Sequence, residues 1–455
     1  MPKKKSFLFY PQNQKRGFTL IEILIATAIF LILANAIFSL STGVYDLIAL
    51  SRIRTSARNL AKAKLETILN LPYAQVGTTT GIPNGVIPEF ENVTLNGGDF
   101  KVYTFISYID DPFDENSPTD LLPTDYKQVR VEVHWQNSKL KKMTDPIVLI
   151  TNIAPQGMET AVNGGTLSIF VINAMAKPLT QAQVHIVNTT ITPNINLTLK
   201  TNDQGLVLLP GAPVCSTCYQ VIVTKEGYST DRTYATTEVD NPDKKYITVV
   251  DKQVSQMTFI IDQLSNVTID SFAKSNDTFI SIPNSQFRIT GTKTIGTTMD
   301  GDPVYKYDQT FTTNSAGKYS LTNLEWDNYI ITIPDNENKI IAAINPHLPL
   351  VINPGENLEL KYALVPKTTN SILIKIENTN SEPIGSVSTL LHLNPNFNFT
   401  NVSGMEDEVN FGQVFFNNLS TGTYTFTLDH SDYKTKTGEI SISNNLMDTL
   451  ILEAK

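Results

Sequence analysis

The sequence predicts an α+β unit, one long N-terminal helix packed on a small antiparallel sheet, followed by three all-β sandwiches. Three observations carry this expectation. An apolar run begins at Phe18 and passes into an amphipathic pattern that ends at Leu69. Strand-like runs follow as "FKVYTFISYI", "YKQVRVEVHW" and "PIVLITNIA". Beyond residue 164 the same order of glycine hairpin and aromatic-led strand recurs to the end of the chain. At 455 residues the chain is too long for one ordinary core and reads as modular.

The helix comes first. Between Phe18 and Leu40 the only ionisable side chain is Glu22, and apolar text continues to Leu50. Such a run is long enough to cross about 30 Å of hydrocarbon. Lys3, Lys4, Lys5, Lys15 and Arg16 precede it within seventeen residues and with no acid among them, whereas the basic residues from Arg52 onward are spread along the amphipathic half of the helix. That asymmetry places the N-terminus in the cytoplasm and everything beyond Leu50 outside. An ordinary signal peptide would show a small-x-small cleavage site and a polar mature start, which this run lacks. The net charge is −9 although the leader is basic, so the remainder is an acidic product, which argues against binding phosphates through clustered Lys and Arg. Nucleic acid is therefore not an expected partner. After Leu50 the text is rich in helix formers, sets Ile53, Ala57, Leu60, Ala61, Leu65, Ile68 and Leu69 near one face, and stops before Pro72. From Phe18 to Leu69 such a helix would extend about 78 Å.

Glu22 raises the question of function. A carboxylate in a transmembrane helix costs roughly 2.5 to 3.5 kcal/mol and normally needs a partner. A cut after Gly17 would create a cation, the Phe18 amine, one helical turn away, on the same chain or on a neighbouring subunit. The stretch "RGFTLIE" resembles the leader of type IV prepilins, shared by pilins and secretion pseudopilins: a basic leader ending in Gly, a Phe start and a Glu four residues on. The resemblance implies that a prepilin peptidase cuts between Gly17 and Phe18 and methylates the Phe18 amine. It also implies that Glu22 directs assembly with other pilin subunits. A long helix, half membrane span and half amphipathic, is the spine of that family.

In the first globular unit "YKQVRVEVHW" alternates, with Val129, Val131, Val133 and Trp135 on one face and Arg130, Glu132 and His134 on the other. This predicts a sheet with one buried face, set against the second half of the helix as in a pilin head. The same phrase followed by "VLITNIAP" is similar to the ending of many minor pilins. The connection at 110–125 holds Asp110, Asp111, Asp114, Glu115, Asp120 and Asp125. Calcium takes oxygen ligands of this kind, but the spacing and glycine of a calcium loop are missing. The expectation is a solvated acidic loop and no metal site.

The C-terminal repeats show "TNDQGLVLLPG", "TNSAGKYSLTNL" and "EVNFGQVFFNNL", each running into an aromatic-led strand. Gly205, Gly317 and Gly412 mark the hairpins, and Tyr219, Tyr329 and Tyr424 lead the strands. Order and near-constant spacing argue for copies of one domain, each a small antiparallel sandwich of immunoglobulin-like size. The order resembles the prealbumin-like modules called carboxypeptidase regulatory-like or collagen-binding-adhesin B-type domains. That resemblance implies spacer or binding units without catalysis of their own. Some such modules form a Lys-to-Asn isopeptide bond; Lys375 in "ILIKIEN" is a candidate, although an alternating strand puts a solvent-facing lysine there anyway. The chain accordingly divides into a leader (1–17), the long helix (18–72), the head sheet (73–160) and modules at 164–262, 263–366 and 367–455.

Candidates for chemistry are few. Cys215 and Cys218 in "CSTC" precede Tyr219. A loop-closing disulfide is the first reading, free thiols the second, and metal or redox use the last, because zinc needs more ligands and a reactive thiolate needs a basic neighbour. His134, His185, His347, His392 and His430 are scattered singly, and no phosphate-cradling loop occurs. No cofactor and no enzymatic activity are expected. The sequence thus reads as a large minor pilin, at the tip of a filament or sparse along it. Its path runs from the cytoplasmic membrane to the cell surface, with a surface or polysaccharide ligand for the modules. Two alternatives share the features: a pseudopilin of a secretion system, and a membrane-anchored surface protein that keeps residues 1–17.

Overall fold

Helix α1 runs without interruption from Leu20 to Leu69, passing through Gly43, and ends at Asn70, just ahead of Pro72. The computed structural model describes residues 19–113, 115, 117–135, 146–155, 163–275, 278–394 and 397–455. They fall into two units. One comprises the helix and the chain up to Thr80 with Gly85–Phe105 and Val129–Ile153; the other comprises Gly81–Asn84, Ile106–Gln128 and Ala154–Lys455.

The strands β1 (Phe90–Leu95), β2 (Gly98–Ile109), β3 (Tyr126–Trp135) and β4 (Ile147–Ile153) form one sheet in chain order. The alternation of β3 is realised: Val129, Val131, Val133 and Trp135 are buried, joined by Phe100 and Val102 of β2. On its other face Glu132 accepts from Arg130 Nε at 2.7 Å and lies 3.2 Å from His134 Nε2. Helix α1 contributes Ala57, Ala61 and Ile68, lies beside β4, and is tied to β1 by the ion pair of Lys64 with Glu91. Leu69, expected on this face, is exposed instead. One residue beyond Ile68 the helix has turned by about 100°, which carries Leu69 off the covered face. β1 was not anticipated. It closes on β2 through Asn96 and Gly97, both at positive φ, an Asn-Gly hairpin turn whose signal is local.

The second unit repeats one arrangement. Gly165–Ile172 pairs parallel with Val254–Ile260 and antiparallel with Leu206–Ala212. Ser265–Ser275 stands in the same relation to Asn357–Pro366 and Lys318–Leu324, and Ser371–Asn378 to Asn445–Leu452 and Gln413–Asn417. Facing these sheets, Gln183–Asn188 lies between Ile195–Lys200 and Cys215–Thr224. Gln286–Gly291 and Ser388–Asn394 are flanked in the same antiparallel way. Each pair of sheets encloses its own hydrophobic cluster. The antiparallel β-rich fold expected here is present, with one addition: the first and last strands of every copy run parallel. A parallel pair needs a crossover, and here the whole intervening copy supplies it; alternation along a strand carries no information about that neighbour.

The repeated residues have repeated tasks. Gly205, Gly317 and Gly412 have φ of 72°, 75° and 63°. Their carbonyls accept from Val171, Ser271 and Ile376 N–H, each at 2.8 Å. A Cβ at Gly205 would lie 2.4 Å from the Val171 carbonyl oxygen, so conformation and space both demand glycine there. Tyr219, Tyr329 and Tyr424 are fully buried, and their hydroxyls donate to the carbonyls of Pro213, Glu325 and Ser420 at 2.8, 2.8 and 3.0 Å. A buried ring with a paired hydroxyl adds apolar area without a polar penalty.

Successive copies are joined by polar locks rather than loose linkers. Asn241–Pro242 pairs with Thr294–Thr297. The buried Gln413 side chain accepts from Ile344 N at 3.1 Å and donates to the Ile344 carbonyl at 2.5 Å. His347 places Nδ1 3.0 Å from Glu377 Oε1 and Nε2 2.9 Å from the Phe411 carbonyl.

Tyr362, fully buried and donating to Ser285 Oγ at 3.0 Å, gives the fold an alkaline limit. Burial pushes its phenol up to about 12. The folded state therefore holds this proton after the unfolded chain, with its ordinary phenol near 10, has lost it. Its contribution is whole below pH ~10 and is lost as pH rises through about 12, an expected change of roughly 2 to 3 kcal/mol. Urea unfolding followed from pH 9 to 12 should show this decline, and Tyr362→Phe should flatten it; an equal decline in both proteins would refute the assignment.

Candidate assembly site

The start of α1 is built as a reciprocal cap. Thr19 is the N-cap: its Oγ1 accepts from Glu22 N–H at 3.3 Å, while Glu22 Oε2 accepts from Thr19 N–H and from Thr19 Oγ1, each at 2.9 Å. Donors that a helix N-terminus leaves without partners are thus satisfied by the first turn itself. The carboxylate also sits at the positive end of the helix dipole. The cost of placing Glu22 at the head of an apolar run is offset locally, before any partner is considered. The sequence pairs Glu22 with the Phe18 amine, and the structure adds a nearer partner in Thr19, which the capping signature Thr-x-x-Glu marks. Gly17 and Phe18, the expected processing site, lie outside the described residues.

From this cap the helix presents apolar side chains all around. Leu20, Phe30, Ile32, Phe38 and Tyr45 are among many that are exposed, and the helix is long and apolar enough to cross a membrane. Because no face is favoured before Leu50, the covering medium must be apolar on every side, which lipid or a bundle of like helices provides.

The other candidates are placed apart from one another. Cys215 and Cys218 are joined by a disulfide, and Asn188 Nδ2 donates to Cys218 Sγ at 3.1 Å. His185 Nε2 is 2.8 Å from Asn196 Oδ1, His392 Nδ1 is 2.5 Å from Asn398 Oδ1, and His430 packs edge-on against Tyr433. With His134 on Glu132 and His347 on Glu377, each histidine has its own partners. The Lys375 ammonium donates to the Leu348 carbonyl at 3.1 Å. In the acidic connection Asp110 and Asp125 are buried, contrary to the solvated loop expected there. Asp114 lies outside the described residues.

Residues 12–35 match the family model described as the prokaryotic N-terminal methylation motif. No curated protein matches the chain. Among solved structures, the TIE protein of Bacillus anthracis is 15% identical and covers 80% of this chain and 74% of its own, with a TM-score of 0.19. The major pilin subunit of Bacillus cereus is 13% identical, covering 64% of this chain and 100% of its own at a TM-score of 0.17. The minor pilin of Streptococcus agalactiae is 14% identical, covering 42% and 96% at a TM-score of 0.17. Scores this low describe no common overall arrangement. The methylation motif, the long apolar helix and the β-sandwich-rich remainder make the chain pilin-like in organisation.

Proposed function

We propose that this protein is a large minor subunit of a type IV pilus-like filament. The observation that carries this reading is the methylation motif at 12–35 leading directly into an exposed apolar helix whose first turn holds Glu22. A prepilin peptidase would remove residues 1–17 and methylate the Phe18 amine. Before assembly the helix would sit in the cytoplasmic membrane with the leader inside. Afterwards it would leave lipid for a bundle of pilin helices, where the Phe18 amine and Glu22 of neighbouring subunits meet. Some three hundred residues beyond the head would crowd a filament built of this subunit alone, which favours a place at the tip or sparse along the fibre. Modules 164–262, 263–366 and 367–455 would present a surface for cells or polysaccharide, and the polar locks between copies support display at fixed geometry. The reading assigns the chain no catalysis.

Mass spectrometry of filaments sheared from cells tests this. The tryptic peptide ending at Arg52 should begin at a methylated Phe18, and the protein should co-purify with the filaments. A peptide beginning at Gly17 or earlier, in protein that stays with the membrane, would mean a plain surface anchor.

A further inference from the structure

We propose that Asp110, Asp120 and Asp125 bind a hard divalent cation, calcium in preference. The three carboxylates come from both ends and the interior of the connection between β2 and β3. Each offers an oxygen, and the three oxygens lie within 4.8 Å of one another. With calcium–oxygen distances of about 2.3 to 2.6 Å, two ligands of one ion stand up to about 5 Å apart, so a single ion reaches all three.

The second observation concerns how these carboxylates are held. Asp110 is only 4% exposed; its Oδ2 accepts from Ser117 N–H at 2.8 Å, and its Oδ1 is buried with no hydrogen-bond partner. An ionised oxygen is costly to bury in that state, and it points to a ligand. Its two neighbours are likewise held by main-chain amides. Asp125 Oδ2 accepts from Asp111 N–H at 2.5 Å and Asp120 Oδ1 from Leu122 N–H at 2.8 Å, and the second oxygen of each is buried. Main-chain amides thus fix one oxygen of every carboxylate, while the other is buried. Asp111 and Glu115, which share the acidic loop, do not take part.

The donor set is all oxygen, which suits calcium or magnesium and not zinc or copper. Calcium is favoured because it accepts irregular geometry and completes six to eight ligands with water and main-chain carbonyls, whereas magnesium demands a near-ideal octahedron. The site lies wholly within one unit of the chain, and the loop carrying it contacts the first repeat through Ser117 Oγ, 3.3 Å from Ser168 Oγ, and through Asn202 Nδ2, which donates to the Tyr108 carbonyl at 3.3 Å. An ion there would brace that loop against the repeat. The proposal is independent of filament assembly.

Calcium titration of the detergent-solubilised full chain, by calorimetry, tests it. One saturable site is expected, with a dissociation constant on the order of 10⁻⁴ to 10⁻³ M as in extracellular calcium modules. Asp110→Asn and Asp120→Asn should each weaken it about tenfold or more, while Asp300→Asn, an exposed acid elsewhere, should leave it unchanged. Absence of a saturable site in the wild-type chain below about 10 mM calcium overturns the proposal. So does unchanged affinity in the two cluster variants; if Asp110→Asn fails to fold, Asp120→Asn, only half-buried, decides alone. Tighter binding of magnesium than of calcium would overturn the choice of ion.

Discussion

Glu22→Gln should be processed and held in the membrane like the wild-type protein, yet its recovery in sheared filaments should fall about tenfold or more. The substitution separates the cap that Glu22 makes with Thr19 from the assembly role proposed for the same side chain. Glutamine serves a capping box as well as glutamate does, so the hydrogen bonds with Thr19 survive and α1 still starts at Leu20. What disappears is the charge. In lipid the neutral amide is the less costly group, so insertion does not suffer. In a bundle of helices the Phe18 amine of a neighbour would lose its counter-ion in a low-dielectric setting, and an uncompensated buried charge costs about 3 to 5 kcal/mol. Glu22→Ala removes both tasks and should fray the first turn as well. Quantitative blotting of sheared filaments against the membrane fraction measures the difference. Recovery of Glu22→Gln at the wild-type level would reduce Glu22 to a helix cap and remove the proposed assembly role.

The largest stability effect is expected from the repeated tyrosines. Tyr424→Ala should destabilise its module by about 3 to 5 kcal/mol, since a whole aromatic ring leaves a closed core that relaxes only in part. Tyr424→Phe retains the ring and loses the bond to the Ser420 carbonyl, for about 1 kcal/mol. Tyr219 and Tyr329, donating to Pro213 and Glu325, should behave alike. With several cores in the chain, calorimetric unfolding should show the altered module separating as an early transition instead of one shifted midpoint. Phenylalanine variants that cost nothing at all three positions would show that the hydroxyl merely finds an acceptor, and that the ring alone holds the strand.

Much of this architecture is visible in the chain because it rests on local physics. A run of apolar residues without proline makes α1, and Thr19 and Glu22, three residues apart, cap it with a signature legible in the sequence. Asn96-Gly97 likewise announced β1. The valines of β3 alternate with the period of a strand, and the hairpin glycines recur because the left-handed turn leaves no room for a Cβ.

By itself, then, the sequence determined the long apolar helix, the methylation motif, the head sheet's buried face and the recurrence of one β-rich module, since each depends on residues near one another along the chain. Tertiary structure alone decided the parallel pairing of first and last strands, the polar locks at Gln413 and His347, and which acids of the loop at 110–125 are buried. These are relations between distant segments. Asp110, Asp111 and Asp125 are the same residue type in one acidic stretch, and only the packing of the loop turns two of them inward.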